Sequence, residues 1–122
     1  MHFHQEVFMY TKMKMDQTHN FTTKLISSEL THHIRKNILW PHIKNDHYSL
    51  DVDELKDTFH LGVFTKSNLI SIGTFVKENN DKIKTKNQYR LRAMATDKSY
   101  QKKGAGKILL SKGIDLLIKK KI

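Results

Sequence analysis

The pattern of hydrophobic and polar positions along the chain predicts four strands. Segment 21–26 (FTTKLI) is rich in the β-branched and aromatic residues that favour extended backbone. Segments 59–65 (FHLGVFT) and 69–76 (LISIGTFV) are similar, and the link Lys66-Ser67-Asn68 predicts a hairpin between them. Segment 88–96 (QYRLRAMAT) alternates strictly. We expect one of its faces to carry Tyr89, Leu91, Ala93 and Ala95, and the other to carry Arg90, Arg92, Met94 and Thr96.

The same pattern predicts two amphipathic helices. The first follows Ser27 and Ser28, which are good N-caps, and ends before Pro41. Its buried face is expected at positions i, i+4 and i+8, which are Leu30, Ile34 and Ile38. The second begins near Gly104, and a wide buried stripe is expected at Leu110, Ile114 and Leu117, flanked by Ile108, Leu109 and Ile118. The order β-α-β-β-β-α predicts an α/β fold with a mostly antiparallel sheet.

Three segments show no useful periodicity. Residues 1–20 are predicted to form an N-terminal tail with no part in the fold. Residues 42–58 are predicted to be an acidic loop, and residues 78–87 an exposed polar connection. We therefore expect one domain over residues 21–122, in agreement with a chain length of 122 residues.

Composition excludes several classes of protein. The chain has no cysteine, so it forms neither disulfides nor thiolate zinc sites. No apolar run reaches 18 residues, which argues against a membrane-spanning helix. The first 20 residues lack the apolar core of a secretory signal, so we expect a cytoplasmic protein. No metal site is predicted, because metal-ligand spacing is absent among His32, His33, His42, His47 and His60.

Basic residues are concentrated towards the end of the chain. Twenty-two Lys and Arg against twelve Asp and Glu give a net charge of +10. Residues 102–122 hold seven lysines and one aspartate, a net charge of +6, whereas residues 42–58 hold two lysines and five acids, a net charge of −3. This distribution indicates a polyanionic partner, either nucleic acid or a cofactor that carries phosphate, unless the lysines only solvate the surface.

A glycine-rich turn precedes the second predicted helix and reads Gln101-Lys102-Lys103-Gly104-Ala105-Gly106-Lys107. The first N–H groups of a helix lack intrahelical acceptors, and glycine lets an anion approach them closely. The turn is therefore a candidate phosphate site. A P-loop is excluded because Ile108 follows the lysine, and a dinucleotide fingerprint is excluded because Leu109 stands where it needs glycine or alanine.

The motif that remains, Q-x-x-G-x-G after a strand, resembles the acetyl-CoA-binding motif of the GNAT family of N-acetyltransferases. Segment 34–41 (IRKNILWP) is similar to a first-helix pattern of one bacterial subgroup, and segment 107–110 (KILL) to the early part of the family's glycine-turn helix. Segments 60–64 and 69–73 are similar to its second and third strands. The resemblance covers about residues 21–122 and implies transfer of acetyl from acetyl-CoA to a primary amine.

The resemblance also implies a cofactor site. Backbone groups at the end of strand 88–96 would hold the pantetheine arm, and backbone N–H groups of the turn would hold the pyrophosphate. Gly104 and Gly106 would be required because a side chain there would meet the phosphates, and Gln101 would begin the turn. The implied site consists of Met94, Ala95, Thr96, Gln101, Lys102, Lys103, Gly104, Ala105, Gly106 and Lys107. No catalytic residue is assigned.

Members of this family normally continue past the glycine-turn helix with further strands and a helix, whereas this sequence stops at Ile122. We therefore expect a partial GNAT domain without the C-terminal strands, in which segment 88–96 has an open edge. A homodimer that completes the sheet is one consequence of such an edge. The acceptor amine, on a small molecule or a protein, stays open.

Two other functions remain as alternatives. One is a non-catalytic remnant of the same fold, and the other is a small basic protein that binds nucleic acid, although its lysines do not form a basic stripe interleaved with aromatic residues. For the remaining charged residues we expect a structural role in preference to a functional one. Arg90 and Arg92 are expected to face solvent and Asp97 to cap a turn, while a solvated loop is expected to hold Asp51, Asp53, Glu54 and Asp57.

Overall fold

The computed structural model describes residues 2–3, 20–43, 48–78 and 88–119. The strands are β1 (His2–Phe3), β2 (Thr22–Ile26), β3 (Phe59–Thr65), β4 (Asn68–Lys77) and β5 (Tyr89–Thr96). Helix α1 covers residues 28–39 and consists of a 3-10 turn (Ser28–Thr31), an α-helical turn (His32–Ile34) and a π-helical turn (Arg35–Leu39). A 3-10 turn (Lys98–Tyr100) then precedes helix α2 (Ala105–Lys119).

The strands form one antiparallel sheet in the order β1-β5-β4-β3-β2. This sheet, with a helix on each face, confirms the predicted α/β fold. No element was predicted in residues 1–20, yet β1 pairs with the first two residues of β5. Residues 4–19 lie outside the described part of the chain, so the boundary of the tail stays a prediction.

A tight hairpin joins β3 to β4, as the sequence predicts. Thr65 pairs with Asn68, so the turn itself is Lys66 and Ser67, with φ angles of 50° and 70°. Two successive left-handed residues match the twist of the flanking strands in a two-residue hairpin. Asn68 therefore belongs to the strand and not to the link.

Helix α2 covers one face of the sheet. The fully buried Leu109, with Ile114 and Leu117, packs against Leu61 and Phe75 of the two central strands. The sequence placed Leu110 in this stripe, but Leu110 is only partly buried and Leu109 takes the central position. The stripe is wide enough that several neighbouring registers fit the pattern, and the sheet selects one of them.

Helix α1 covers the opposite face. Ile34 packs with Ile72 and Ala95, and Ile38 lies at the edge of the same cluster. The expected third member, Leu30, is instead 51% exposed. It lies in the 3-10 turn, where three residues complete a turn, so the i, i+4 spacing does not carry it to the face that Ile34 occupies. The helix ends at Leu39, before Trp40 and Pro41, as predicted.

A β-bulge divides β5 into two parts. Between the pairs Thr74–Arg92 and Ile72–Ala95, two residues of β5 (Ala93 and Met94) lie opposite a single residue of β4. Ala93 has a φ of 51°, in the left-handed region. Because of the extra residue, side chains after the bulge point to the opposite face from the one that strict alternation would give them. The clean alternation predicted for this strand is therefore wrong at Ala95, which packs on the α1 face, whereas Tyr89 and Leu91 pack on the α2 face.

Some predicted features lie outside the described residues. They are His47 and, apart from Glu78, the exposed connection over 78–87. Within the described ranges, no helix combines the length and the apolar character that crossing a bilayer requires.

Candidate functional site

The turn that follows β5 is stabilised by hydrogen bonds from its own side chains. The N–H of Asp97 donates to the carbonyl of Ile70 at 2.7 Å, so β5 stays attached to β4 up to its last residue. The Asp97 carboxylate accepts a hydrogen bond from the N–H of Ser99 at 2.9 Å and caps the following 3-10 turn, as predicted. Gln101 Nε2 donates to the carbonyl of Thr96 at 2.9 Å. The glycine turn is thereby fastened to the end of β5.

The backbone of the glycine turn is left-handed at two positions. Lys102 has a φ of 63° and Gly104 a φ of 91°. The first hydrogen bond of α2 runs from the N–H of Ile108 to the carbonyl of Gly104 at 3.0 Å. The N–H groups of Ala105, Gly106 and Lys107 therefore precede the helical ladder, and within the described residues they donate to no protein acceptor. Three unpaired donors at a helix N-terminus form an anion-binding arrangement.

Positive side chains surround this helix N-terminus. Lys102, Lys103 and Lys107 are exposed, and the Lys103 ammonium lies 5.8 Å from the centroid of the Tyr100 ring. Among the described residues, none of these three lysines forms an ion pair with a carboxylate. Their charge adds to the partial positive charge of the helix end.

Met94 and Thr96 lie next to this turn, on the α2 face of β5. The Met94 methyl group lies so close to α2 that a Cβ added at Gly106 would be 2.5 Å from it. The hydroxyl groups of Thr96 and Ser71 are 2.8 Å apart across the strand pair. The end of β5 and the first turn of α2 thus lie side by side, and we call the surface that they form together the glycine-turn groove.

The outer edge of β5 is open beside this groove. Within the described residues, β1 pairs only with Tyr89 and Arg90, and no strand pairs with the rest of β5 on that side. Because the N–H of Asp97 points to β4, strand alternation directs the N–H and carbonyl of Thr96 to the open edge. The Thr96 carbonyl accepts from Gln101, which is consistent with that direction.

The structure therefore brings together most of the residues named from the sequence. Met94, Thr96 and Gln101 lie at the glycine turn 101–107. Two of the named residues offer only backbone to the groove. Ala95 packs on the opposite face of the sheet, and the side chain of Ala105 is buried in the α2 core.

A buried polar cluster lies on the α1 face, and the sequence did not predict it. The Arg35 guanidinium donates to both carboxylate oxygens of Asp53 at 2.7 and 2.9 Å, to the carbonyl of Tyr48 at 2.7 Å and to the hydroxyl of Thr74 at 2.9 Å. The Asp53 carboxylate also accepts from the N–H of Leu50 at 2.9 Å. The expectation that Asp53 lies in a solvated loop is wrong, since the residue is 5% exposed.

His60 completes this cluster. Its Nε2 lies 3.1 Å from the carbonyl of Asp53, and a carbonyl can only accept, so Nε2 carries the proton. Its Nδ1 lies 2.8 Å from the hydroxyl of Thr74. That hydroxyl can donate to Nδ1 of His60 while it accepts from Arg35, so one hydroxyl connects the two side chains. No periodic signal marks this cluster, because its members come from a helix, a loop and two strands.

Burial and hydrogen bonding act on Asp53 in opposite directions. Burial alone would raise the pKa of the carboxyl group. The hydrogen bonds from Arg35 and from the N–H of Leu50, together with the positive charge of Arg35, outweigh burial and lower the pKa below its ordinary value. The carboxylate is therefore ionised at neutral pH and committed to the ion pair.

A cavity of about 550 Å³ lies at another part of the sheet. It is lined by the end of β2, the start of α1 and the start of β3, with the acidic groups of Glu29 and Glu54 on its wall. Strands β3 and β4 separate it from β5. It has no part in the groove at the glycine turn.

Comparison with known proteins identifies the family of this chain. Residues 26–122 match the model of the acetyltransferase (GNAT) family. A Bacillus subtilis (strain 168) protein named "Uncharacterized N-acetyltransferase YitI" is 39% identical over 87 residues, which are 71% of this chain and 58% of that protein. The chain therefore spans little more than half the length of this relative. Since the family match covers most of the sequence, the chain belongs to the acetyltransferase (GNAT) family.

Proposed function

We propose that this protein binds acetyl-CoA and transfers the acetyl group to an amine. The observation that carries the proposal is a combination of two features: among the described residues, three N–H groups at the start of α2 have no acceptor, and no strand covers the edge of β5 beside them. The first feature suits a pyrophosphate and the second suits an extended chain that carries amide groups. Acetyl-CoA contains both, joined in that order.

The pyrophosphate would lie at the glycine turn. The N–H groups of Ala105, Gly106 and Lys107 would donate to its oxygens, and the exposed Lys102, Lys103 and Lys107 would supply charge. Gly104 is needed there for its left-handed backbone, and Gly106 for the close approach of the phosphate. The Gln101–Thr96 hydrogen bond would keep this site at a fixed distance from the strand.

The pantetheine arm would lie along the open edge of β5 and hydrogen-bond with the backbone of Met94 and Thr96. In this arrangement the thioester would lie near the bulge at Ala93. There the amine nitrogen would attack the thioester carbonyl and form the C–N bond of the amide, the C–S bond would break, and the proton lost by the amine would pass to the thiolate, which leaves as CoA thiol. The protein would act by orienting the two reactants and polarising the carbonyl with a backbone N–H.

Calorimetric titration with acetyl-CoA and with CoA tests the proposal. The native chain is expected to bind both, and Gly106→Val to weaken binding at least about tenfold, or about 1.4 kcal/mol, because its side chain would press against Met94 and displace the N–H groups that are proposed to hold the pyrophosphate. Lys119→Ala, an exposed change at the far end of α2, is the matched control and should bind like the native chain. Circular dichroism verifies that both variants are folded. Equal affinity of native and Gly106→Val would contradict the proposal.

Assays of thiol release and of oligonucleotide binding separate the alternatives. A remnant of the fold without activity would bind acetyl-CoA but release no CoA thiol with any amine. A protein that binds nucleic acid through the exposed lysines near α2 would instead retain an oligonucleotide, with an affinity that falls steeply between 50 and 200 mM salt. Gly106→Val should leave such binding unchanged, since the lysines remain.

A further inference from the structure

Arg92 lies on the side of the sheet that faces away from the proposed pyrophosphate site. Its neighbour Leu91 packs with Leu109 of α2. Successive side chains of a strand point to opposite faces, so Arg92 lies on the α1 face. Its cross-strand partner is Thr74, whose hydroxyl belongs to the buried cluster of that face. Arg92 therefore cannot serve phosphates bound at the N-terminus of α2.

The position of Arg92 along β5 brings it close to the proposed site of acetyl transfer. Arg92 immediately precedes the bulge residue Ala93, where the thioester is proposed to lie. The π-helical turn Arg35–Leu39 packs against β5 on this face. Arg92 is partly buried. The nitrogen atoms of its side chain are not among the buried atoms that lack a hydrogen-bond partner. A ligand on the α1 face can thus reach the guanidinium.

Arg92 has no anionic partner. Within residues 20–43, 48–78 and 88–119 its side chain makes neither an ion pair nor a hydrogen bond. Arg90, two residues earlier on the same face, provides a comparison, because its guanidinium pairs with Glu78 at 3.2 Å. The carboxylate of Asp53, which is buried on this face, is already bound by Arg35. As far as the described residues go, the position next to the bulge therefore carries an uncompensated positive charge.

We infer that Arg92 binds an anionic group, carboxylate or phosphate, of the amine that accepts the acetyl group. This inference rests on the proposed function. The planar guanidinium binds such anions through two parallel hydrogen bonds, which orient as well as attract. A purely cationic amine would meet repulsion from Arg92 at the same place. The acceptor is thus an amine that carries an acid on the same molecule.

Binding of small amines to the full chain, saturated with CoA, tests the inference by calorimetry. Four probes share a short aliphatic amine and differ in the other end: 4-aminobutyrate, 2-aminoethyl phosphate, n-butylamine and 1,4-diaminobutane. We expect at least tenfold tighter binding of one or both anionic probes than of n-butylamine, and the weakest binding for the diamine. The carboxylate and phosphate arms identify which anion is preferred. Release of CoA thiol from acetyl-CoA provides a second readout, with the same preference expected in kcat/KM.

Variants test whether Arg92 itself, and not a neighbouring residue, gives the preference for anionic probes. Arg92→Gln should remove the advantage of the anionic probes, at least tenfold, and should bind n-butylamine no more weakly than the native chain does, since a repulsive charge is removed. Arg92→Lys should retain part of the advantage of the anionic probes, since lysine keeps the positive charge but cannot form the two parallel hydrogen bonds of a guanidinium. Arg90→Gln, in the same strand and on the same face, is the matched control and should bind all probes like the native chain.

The outcomes distinguish the two proposals. Loss of acetyl-CoA binding in the native chain would overturn the proposed function. If acetyl-CoA binds and the anionic probes have no advantage over n-butylamine, or if Arg92→Gln retains that advantage, the inference about Arg92 is wrong while the proposed function stands. Arg92→Gln should bind acetyl-CoA like the native chain, and a loss there would assign Arg92 to the cofactor instead.

Discussion

Arg35 and Asp53 form a doubly hydrogen-bonded ion pair inside the protein, with side chains that are 0% and 3% exposed. Arg35 opens the π-helical turn of α1, and Asp53 lies in the segment before β3. The remaining hydrogen bonds of the guanidinium go to Tyr48 and Thr74. One side chain therefore fastens α1 both to the segment 48–58 and to the central strand β4.

Removal of the Asp53 charge should strongly destabilise the protein. In Asp53→Asn the Arg35 guanidinium stays buried without its counterion, and breaking a buried pair in this way costs about 3–5 kcal/mol. The free energy of unfolding, from urea titration followed by circular dichroism, measures the effect. Glu78→Gln breaks the exposed pair with Arg90, whose side chains are 36% and 43% exposed, and should cost less than about 1 kcal/mol. Similar losses for the two variants would show that the buried pair is not a main support of the fold.

The same carboxylate predicts a dependence of stability on pH. The pKa of Asp53 is lowered in the folded protein, so the unfolded chain binds this proton more readily. The contribution of Asp53 is therefore fully present above about pH 5, and it is lost as the pH falls through about 4 towards the lower folded pKa.

Unfolding free energies of the native chain and Asp53→Asn, measured from pH 7 to pH 3, examine this directly. The difference between the two proteins should be constant above about pH 5 and shrink below about pH 4, since Asp53 is progressively protonated in the native chain. A difference that stays constant down to pH 3 would contradict the assignment.

Two glycines of α2 should respond oppositely to substitution by alanine. A Cβ at Gly113 would lie 2.2 Å from Cζ of Phe75, a fully buried ring that is stacked on Phe59 with centroids 4.9 Å apart. The ring has no room to move, and we expect Gly113→Ala to lose about 1–3 kcal/mol or more. Gly106→Ala would meet only the end of the Met94 side chain, which is 39% exposed and free to rotate away.

Thermal unfolding of the two alanine variants provides the measurement. Alanine is favoured over glycine inside a helix by about 1 kcal/mol, so Gly106→Ala should be as stable as the native chain or slightly more so. Its effect should appear instead in the affinity for acetyl-CoA. If Gly113→Ala unfolds at the native temperature, the close packing of α2 on β4 is not as described.

Sequence patterns predicted those parts of the fold that local chemistry determines. The hairpin between β3 and β4, the capping by Asp97 and the end of α1 before Pro41 all depend on a few neighbouring residues. The glycine turn is of the same kind, because the residue types that suit a phosphate are adjacent in the chain.

The features that were missed depend on residues distant in sequence. The Arg35–Asp53 pair joins positions 18 residues apart through a loop without periodicity, so neither residue is marked as buried. The bulge in β5 is a relation between two strands, and an alternating pattern in one strand cannot show that the partner has one residue fewer. Leu30 was misplaced for a similar reason, since packing and not residue type decides that α1 begins as a 3-10 turn.

The bulge residue itself provides the last prediction. Ala93 adopts a φ of 51°, which costs a residue with a Cβ about 1–2 kcal/mol and costs glycine almost nothing. Ala93→Gly should therefore stabilise the protein by about 1 kcal/mol, and Ala93→Val should destabilise it by a similar amount or more, because a β-branched side chain crowds this conformation further. Ala95→Gly is the matched control. It lies two residues later in ordinary strand backbone and is 6% exposed, so it should lose stability by about 1 kcal/mol. Urea unfolding of the three variants measures these opposite signs, and a loss of stability in Ala93→Gly as large as in Ala95→Gly would mean that the left-handed bulge is absent.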